Sequence, residues 1–227
     1  KFREKLGMAG GVLEASDFSA VPADAVMASV SKADLGMFDR MIDAAEQQAA
    51  PVQQQLDAFK AHTGVDLRAD ILRTLGGTVT YYMSDSTGGG NVGSLVGLMS
   101  FKDRPRFMEA HAKLVKVAND LLGQTPDIGK YARLSAWTES GVELVSLRLS
   151  GLPMPLEITY AATEKWLIAG VTPQATLAAA LQAGGKGDKG LFANESVLKL
   201  ARSQKLSSFS FIDTARMMRP GYPVLSM

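Results

Sequence analysis

The sequence predicts an α+β protein with a largely antiparallel sheet of about seven or eight short strands, packed against one long helix and several shorter ones. Four apolar runs with strand periodicity follow one another between residues 131 and 171, and the tight turns between them favour antiparallel pairing. The helical patterns stand in blocks instead of alternating with strands, which favours α+β over α/β. The 227 residues, 46% of them hydrophobic, are enough to bury a core without a disulfide or metal.

The chain is expected to open with a strand and a long helix. Residues 25–31 alternate as a short strand. An apolar stripe with helical spacing follows, formed by Phe38, Ile42, Ala45, Ala49, Val52, Leu56 and Phe59. Asp34 is the expected N-cap and Gly64 the expected C-terminal stop. Pro51 interrupts the stripe, so it either kinks one long helix or lies in the first turn of a second.

A short helix, a hairpin and another helix come next. Asp66 is expected to cap the short helix, which Gly76 ends. Residues 78–84 and 94–101 show strand patterns on either side of a glycine-rich connection, as in a hairpin. A helix then starts at Asp103 and ends at Gly123, with Phe107, His111, Leu114, Ala118 and Leu121 on its inner side.

The second half is predicted to be a four-stranded meander followed by helices and a last strand. The meander strands span residues 131–138, 142–149, 156–161 and 166–171. Helices are expected near residues 172–182 and 196–203, and a final strand at 207–212.

One local design, an apolar strand followed by a capping residue and a helix, occurs at four places. The expected caps are Asp34, Asp103, Thr172 and Asp213. The first and last copies are the most alike, which raises the possibility of a tandem unit. We therefore divide the chain into a lead-in segment (1–20), a single α+β domain (21–206) and a part (207–227) that is either a C-terminal strand or the start of a second unit. The start at Lys1 indicates a processed, trimmed or engineered N-terminus, and the end at 224–227 follows Pro220-Gly221 without an obvious stop, so we expect an excerpt of a longer protein.

Composition excludes several classes of function. The 24 Lys and Arg balance 23 Asp and Glu, which argues against a nucleic-acid groove or a polybasic membrane patch. The absence of Cys excludes thiol nucleophiles, iron–sulfur clusters and thiolate zinc sites. The longest charge-free stretch, residues 86–101, is too short and glycine-rich for a transmembrane helix.

Candidate catalytic and metal-ligating residues each have a simpler structural interpretation. His111 lies on an apolar helix face without a partner nearby in sequence, which favours a core histidine over a general base. His62 and Asp66 have ligand spacing, but Gly64 breaks the turn between them. Glu139 and Glu143 flank a tight turn as solvated charges. We assign no metal site and no catalytic residue.

Two further motifs also lack the context that their chemistry needs. G-x-G-x-x-G occurs at residues 88–93 and 185–190, but neither copy lies between a strand and a helix, as a dinucleotide site requires. S-x-x-K occurs at Ser29–Lys32 and Ser196–Lys199 without the other motifs of a penicillin-recognising site. We assign no cofactor.

The 11 methionines and the aromatic residues of the meander suggest either an adaptable apolar cavity or an irregular core. The methionines near elements expected to pack together are Met37, Met41, Met83, Met99 and Met108. The meander contributes Trp137, Tyr160 and Trp166. These side chains would line an apolar-ligand site in the first interpretation and fill the core in the second.

The order of features resembles a bacterial domain-of-unknown-function family found in exported or envelope-associated proteins, often as tandem units. The residues that carry the resemblance are Val21-Pro-Ala-Asp24 before a strand and long helix, and the stretch from Gly64 to Gly77 before a strand. The resemblance spans about residues 21–215 and implies an extracytoplasmic location. It implies no catalytic, cofactor or metal residues.

Two functions remain open. The first is a non-catalytic module of an exported or envelope-associated bacterial protein that acts through protein–protein contacts. The alternative is a carrier of an apolar, lipid-like ligand in a cavity between the sheet and the long helix. An enzyme ranks third, because no catalytic constellation is recognisable in the sequence.

Overall fold

The computed structural model of the chain describes residues 11–48, 51–124, 132–149, 157–185, 190–191 and 206–217. The strands in these ranges are β1 (Ala25–Lys32), β2 (Leu75–Ser84), β3 (Val96–Phe101), β4 (Ala132–Glu139), β5 (Val142–Leu149), β6 (Glu157–Ala162), β7 (Trp166–Gly170) and β8 (Ser208–Ile212). The α-helices are α1 (Gly36–Gln48), α2 (Pro51–Thr63), α3 (Arg104–Gln124), α4 (Pro173–Ala183) and α5 (Thr214–Met217). The predicted α+β class is confirmed.

All eight strands belong to one antiparallel sheet with the order β4-β5-β6-β7-β3-β2-β1-β8. Two meanders, β1–β3 and β4–β7, meet where β3 pairs with β7. The chain passes through α3 from β3 to the far edge at β4. It reaches the opposite edge with β8, which pairs with β1.

The inner face of the sheet carries the core. One row of paired residues crosses six strands and is at most 3% exposed: Val30, Thr80, Leu98, Ile168, Ala161 and Leu144. Helix α4 covers this row with Ala175, Ala179 and Ala180, next to Phe18 and Leu191 of the same core cluster. Because side chains alternate along a strand, Val145 and Tyr160 lie on the opposite, outer face, where His111 of α3 contacts Tyr160.

The four predicted caps are all present. Each side-chain oxygen accepts a hydrogen bond from a backbone N–H in the first turn of the following helix. The pairs are Asp34 with Gly36 (3.0 Å), Asp103 with Arg106 (3.2 Å), Thr172 with Ala175 (3.2 Å) and Asp213 with Arg216 (3.0 Å). This confirms the local strand–cap–helix design. A tandem unit stays a prediction.

The stripe from Phe38 to Phe59 belongs to two helices, with Pro51 at the first position of α2. Helices α1 and α2 pack mainly on each other, and α2 also contacts α3, so this pair is not the long helix that covers the sheet. Phe38 is 40% exposed and Met41 59% exposed. Helix α3, with 21 residues, is the longest described helix.

Contacts cross both predicted domain boundaries. Phe18, in the predicted lead-in segment, is 3% exposed and packs edge-on against Phe209 of β8 at 5.5 Å. Leu13 donates a backbone hydrogen bond of 2.7 Å to Leu206. Strand β8 pairs with β1 in the same sheet, so residues on both sides of position 207 belong to one packed unit. The helix predicted at 196–203 lies outside the described residues.

Candidate functional site

A cavity of about 400 Å³ lies at the end of the sheet where β5 begins and β6 ends. Its apolar lining comes from Phe107, Met108, Val142, Val145, Ala161, Ala162, Leu167, Ala180 and Leu181. Its charged and polar lining comes from Arg104, His111, Glu143, Tyr160, Thr163 and Glu164. A mostly apolar cavity of this size with a few polar groups is typical of small-molecule sites.

Helices on both faces of the sheet build the cavity. Helix α3 lines it with residues spaced by three and four positions, which lie on one side of the helix. Helix α4 reaches it with its C-terminal turn at Ala180 and Leu181. The Thr176 hydroxyl fixes α4 to the meander by donating to the backbone carbonyl of Thr159 in β6 at 3.1 Å. This hydrogen bond therefore fixes the position of α4, which forms one side of the cavity, relative to β6.

A hydrogen bond of 2.7 Å joins His111 Nε2 to the Tyr160 hydroxyl in the cavity lining. The His111 ring also stacks on Phe107 with ring centres 6.2 Å apart. Phe107 in turn packs on Phe101 of β3 at 5.0 Å. This aromatic series runs from β3 through α3 to β6, so it fixes the position of His111.

Burial sets the protonation states of this pair. Burial lowers the pKa of the His111 imidazole, and the nearby Glu143 carboxylate offsets part of that effect. Burial also raises the pKa of the Tyr160 phenol, and Glu143 raises it further. At neutral pH the pair is therefore an uncharged imidazole and an uncharged phenol that share a hydrogen bond.

Arg104 and Glu164 lie at the rim. The Arg104 Nε donates a 2.8 Å hydrogen bond to the backbone carbonyl of Thr163, which fixes the guanidinium group. The nearest Arg104–Glu164 approach, Nη1 to Oε1, is 3.8 Å, longer than a hydrogen bond. The Glu164 side chain is 89% exposed. The contact between the two side chains is therefore weak.

Two hydroxyl side chains, those of Thr163 and Tyr160, contribute to the cavity lining. This lining includes no serine or cysteine. Its one threonine, Thr163, bonds through its hydroxyl to both the N–H and the carbonyl of Trp166. The remaining hydroxyl of the lining is that of Tyr160, which bonds to His111.

The structure separates His62 and Asp66. His62 is exposed, whereas the Asp66 carboxylate accepts hydrogen bonds from the backbone N–H of Ala69 (2.9 Å) and from Lys60 (3.0 Å). Asp66 thus acts as the predicted cap. In the described ranges, no group of three or more His, Asp or Glu residues has a metal-binding arrangement.

The other motifs also take structural roles where they are described. Ser29 lies within 3.1 Å of the Ser210 hydroxyl, and Lys32 pairs with Asp17 instead. Ser29 and Lys32 face opposite sides of β1, because their spacing along the strand is odd. The first glycine-rich motif leads into β3 through a 3-10 turn, not into a helix. The second motif and Ser196–Lys199 fall largely or wholly outside the described residues.

Few of the side chains predicted to line a cavity do so. Of the five methionines considered, only Met108 lines this one, and of the three meander aromatics only Tyr160 does. Met41 is exposed and Met83 is buried elsewhere. Trp137 and Trp166 belong to the core of the inner face.

Sequence reasoning did not connect Arg104 and Glu143 with His111. The available signal was on α3, where Arg104, Phe107, Met108 and His111 repeat at three- and four-residue spacing on one side of the helix. Glu143 is brought to the same site by β5. Glu139, on the other side of the same turn, does not line the cavity. Its carboxylate accepts a 3.3 Å hydrogen bond from Trp137 Nε1.

Comparisons of the chain with protein-family models, with curated proteins and with solved structures find no match. The resemblance to a domain-of-unknown-function family therefore stays a prediction. Of the helices within the described ranges, none combines the length and the apolar character that crossing a membrane requires.

Proposed function

We propose that this chain binds a small apolar or amphipathic molecule in the cavity between α3, β5, β6 and α4. The observation that carries the proposal is the lining: nine apolar residues surround about 400 Å³, and the polar pair His111 and Tyr160 is uncharged. Removing apolar ligand surface from water provides the binding energy. The His111–Tyr160 pair makes its own 2.7 Å hydrogen bond, so it adds no charge to the lining that an apolar ligand would leave unpaired.

Filling the cavity is expected to abolish binding. Ala162 pairs with Leu167 of β7 on the outer face, and both residues line the cavity together with Glu143 of β5. The variant Ala162→Phe places a ring inside it. We expect the dissociation constant of 1-aminoanthracene, a neutral dye whose fluorescence increases in apolar surroundings, to rise by about a hundredfold or more.

The matched control is Ala169→Phe. Ala169 pairs with Tyr160 on the same face, but it is exposed and outside the cavity lining. This variant should bind the dye as the wild type does, and thermal unfolding should show that both variants are folded. Equal dye affinity in the wild type and Ala162→Phe would refute the cavity as the binding site.

The second candidate function is contact with another protein, as expected of a module in an exported or envelope-associated bacterial protein. It is favoured by the edge strand β8. The backbone N–H of Asp213 donates to the Val26 carbonyl (2.7 Å), and the backbone N–H of Lys32 donates to the Ser207 carbonyl (2.8 Å). These two bonds fix the β1–β8 register. Because hydrogen-bonded residues alternate in antiparallel pairs, Ser208, Ser210 and Ile212 direct their backbone groups away from β1.

This edge of the sheet is suited to pairing with a second copy of the chain. No described strand pairs with β8 on that side, and the strand carries no charged residue or proline, the usual features that prevent edge pairing. Ile212 is 56% exposed. Antiparallel pairing about Ser210 would place Phe209 of each copy opposite Phe211 of the other.

A charge on β8 is expected to prevent that pairing. Sedimentation equilibrium should give twice the chain mass for the wild type and the single mass for Ser210→Lys, because Lys at an edge opposes strand addition. The control Thr138→Lys adds the same charge to an exposed position of the other edge strand, β4, and should stay dimeric. A wild type that is monomeric up to its solubility limit would contradict this second function.

A further inference from the structure

Arg104 is the only residue of the cavity lining with a permanent positive charge. The other ionisable lining residues are His111, Tyr160, Glu143 and Glu164. The two acids do not neutralise Arg104 closely, since Glu164 is 3.8 Å away and its side chain is 89% exposed to water. The positively charged Arg104 side chain at the rim therefore makes its strongest contact with a neutral group, the backbone carbonyl of Thr163.

The geometry prepares Arg104 for an anionic group. Its Nε is committed to the Thr163 carbonyl at 2.8 Å, which orients the planar guanidinium group, and its side chain is 31% exposed. Among the described residues, the Nη donors have no hydrogen-bond partner. The Glu164 carboxylate approaches Nη1 only to 3.8 Å. A carboxylate can accept two parallel hydrogen bonds from such a group, whereas a hydroxyl cannot match both donors.

The part of the cavity beside His111 and Tyr160 disfavours an anion. Glu143 lies near His111 and Tyr160, and its charge acts on the proton equilibria of both. A second carboxylate placed there would be repelled. The ligand's charged end therefore belongs at the rim beside Arg104, and its apolar end belongs among Phe107, Leu167 and Leu181.

We infer that the ligand is an amphipathic monocarboxylate, whose carboxylate is bound by Arg104 and whose hydrocarbon chain contacts the apolar lining of the cavity. This inference rests on the proposed function, because it specifies the ligand class of the same cavity. It also assigns Glu164 a role: its carboxylate competes weakly with the ligand for Arg104.

The test compares three probes that share one chain and differ in the polar end: decanoate, 1-decanol and decylammonium. Isothermal titration calorimetry below the micelle concentration should give decanoate about tenfold or more tighter binding than 1-decanol, and decylammonium the weakest binding. Arg104→Met should weaken decanoate binding by about tenfold and change 1-decanol binding by less than about twofold. Glu164→Gln should strengthen decanoate binding.

Arg106→Met is the matched control, because Arg106 is two residues away on α3, pairs with Asp70 at 2.7 Å and lies outside the cavity lining. It should leave decanoate binding unchanged. If 1-decanol binds as tightly as decanoate and Arg104→Met has no effect, the carboxylate inference is wrong while the cavity function stands. Tighter binding of decylammonium would also overturn the inference. If none of the three probes binds, the proposed function fails and the inference fails with it.

Discussion

Replacing Asp17 with asparagine is expected to lower the free energy of unfolding by about 3 kcal/mol, as breaking a buried ion pair does. Asp17 is 6% exposed, and its Oδ1 accepts from Lys32 Nζ at 2.6 Å and from the Thr78 hydroxyl at 2.7 Å. Its Oδ2 accepts from the backbone N–H of Glu14 at 2.7 Å. The variant leaves the Lys32 charge without its counter-ion and weakens the link between the 3-10 helix Ala15–Phe18 and the sheet.

Urea unfolding followed by circular dichroism measures this change. Glu109→Gln is the control, because it breaks the exposed Glu109–Lys113 pair of α3 and should change stability by less than about 0.5 kcal/mol. The double variant Asp17→Asn/Lys32→Met should recover part of the loss, since it removes the unpaired charge. Equal effects of Asp17→Asn and Glu109→Gln would contradict the structural role assigned to Asp17.

The same network makes stability depend on acid pH. Burial by itself would raise the pKa of the Asp17 carboxyl, but the Glu14 N–H, Lys32 and Thr78 together bring it below its ordinary value of 3.8. The unfolded chain then binds this proton more readily than the folded chain. The contribution of Asp17 is complete above pH 3.8 and is lost as the pH falls below it through the lower, folded-state pKa. Asp17→Asn should therefore show a weaker loss of stability on acidification over that range.

Replacing Gly90 with alanine is expected to lower the free energy of unfolding by about 3 kcal/mol, from left-handed backbone strain and a steric clash together. Gly90 has φ +69° in the loop between β2 and β3. A Cβ there would lie 2.8 Å from Val26 Cγ2, and Val26 is 1% exposed in the core. Val26 has little room to move, because protein interiors are closely packed.

Gly89 is the matched control in the same loop. It has φ +83°, but its Cβ would meet nothing closer than Asn91 Nδ2 at 3.8 Å. Gly89→Ala should therefore cost only the backbone strain, about 1 kcal/mol. Urea unfolding of the two variants separates the steric clash from the strain, and equal losses would show that Val26 does not restrict this loop.

Local sequence patterns predicted the helices and strands of this fold well, because caps, turns and side-chain alternation act between residues that are close in the chain. The caps Asp34, Asp103, Thr172 and Asp213 each act within three residues of the chain. The strands of the second meander follow from alternation and from tight turns such as that at Ser140 and Gly141, both with positive φ.

The packing of the elements was not predictable in the same way. Periodicity placed Phe38 and Phe59 on one helical stripe, but it does not specify which surface covers that stripe. The order of strands in the sheet likewise depends on where the chain places β4 after β3. No local sequence pattern specifies that position. This is why the cavity expected between the sheet and the first long helix is instead lined by α3 and α4.

The candidate site depends on such long-range contacts. His111 stood out in the sequence, but its partner Tyr160 is 49 residues away along the chain. A single sequence shows no link between them. The same holds for Arg104 and Thr163, which are 59 residues apart.

The most direct test of the proposed function is anomalous diffraction from crystals soaked with 10-bromo-1-decanol, because bromine marks the position of the bound chain. We expect one strong bromine peak inside the cavity, near Phe107, Leu167 and Leu181, and no such peak in crystals of Ala162→Phe. A wild-type map without bromine in the cavity, or with its strongest peak on the exposed side chains of α1, would contradict the assignment of this cavity as the ligand site.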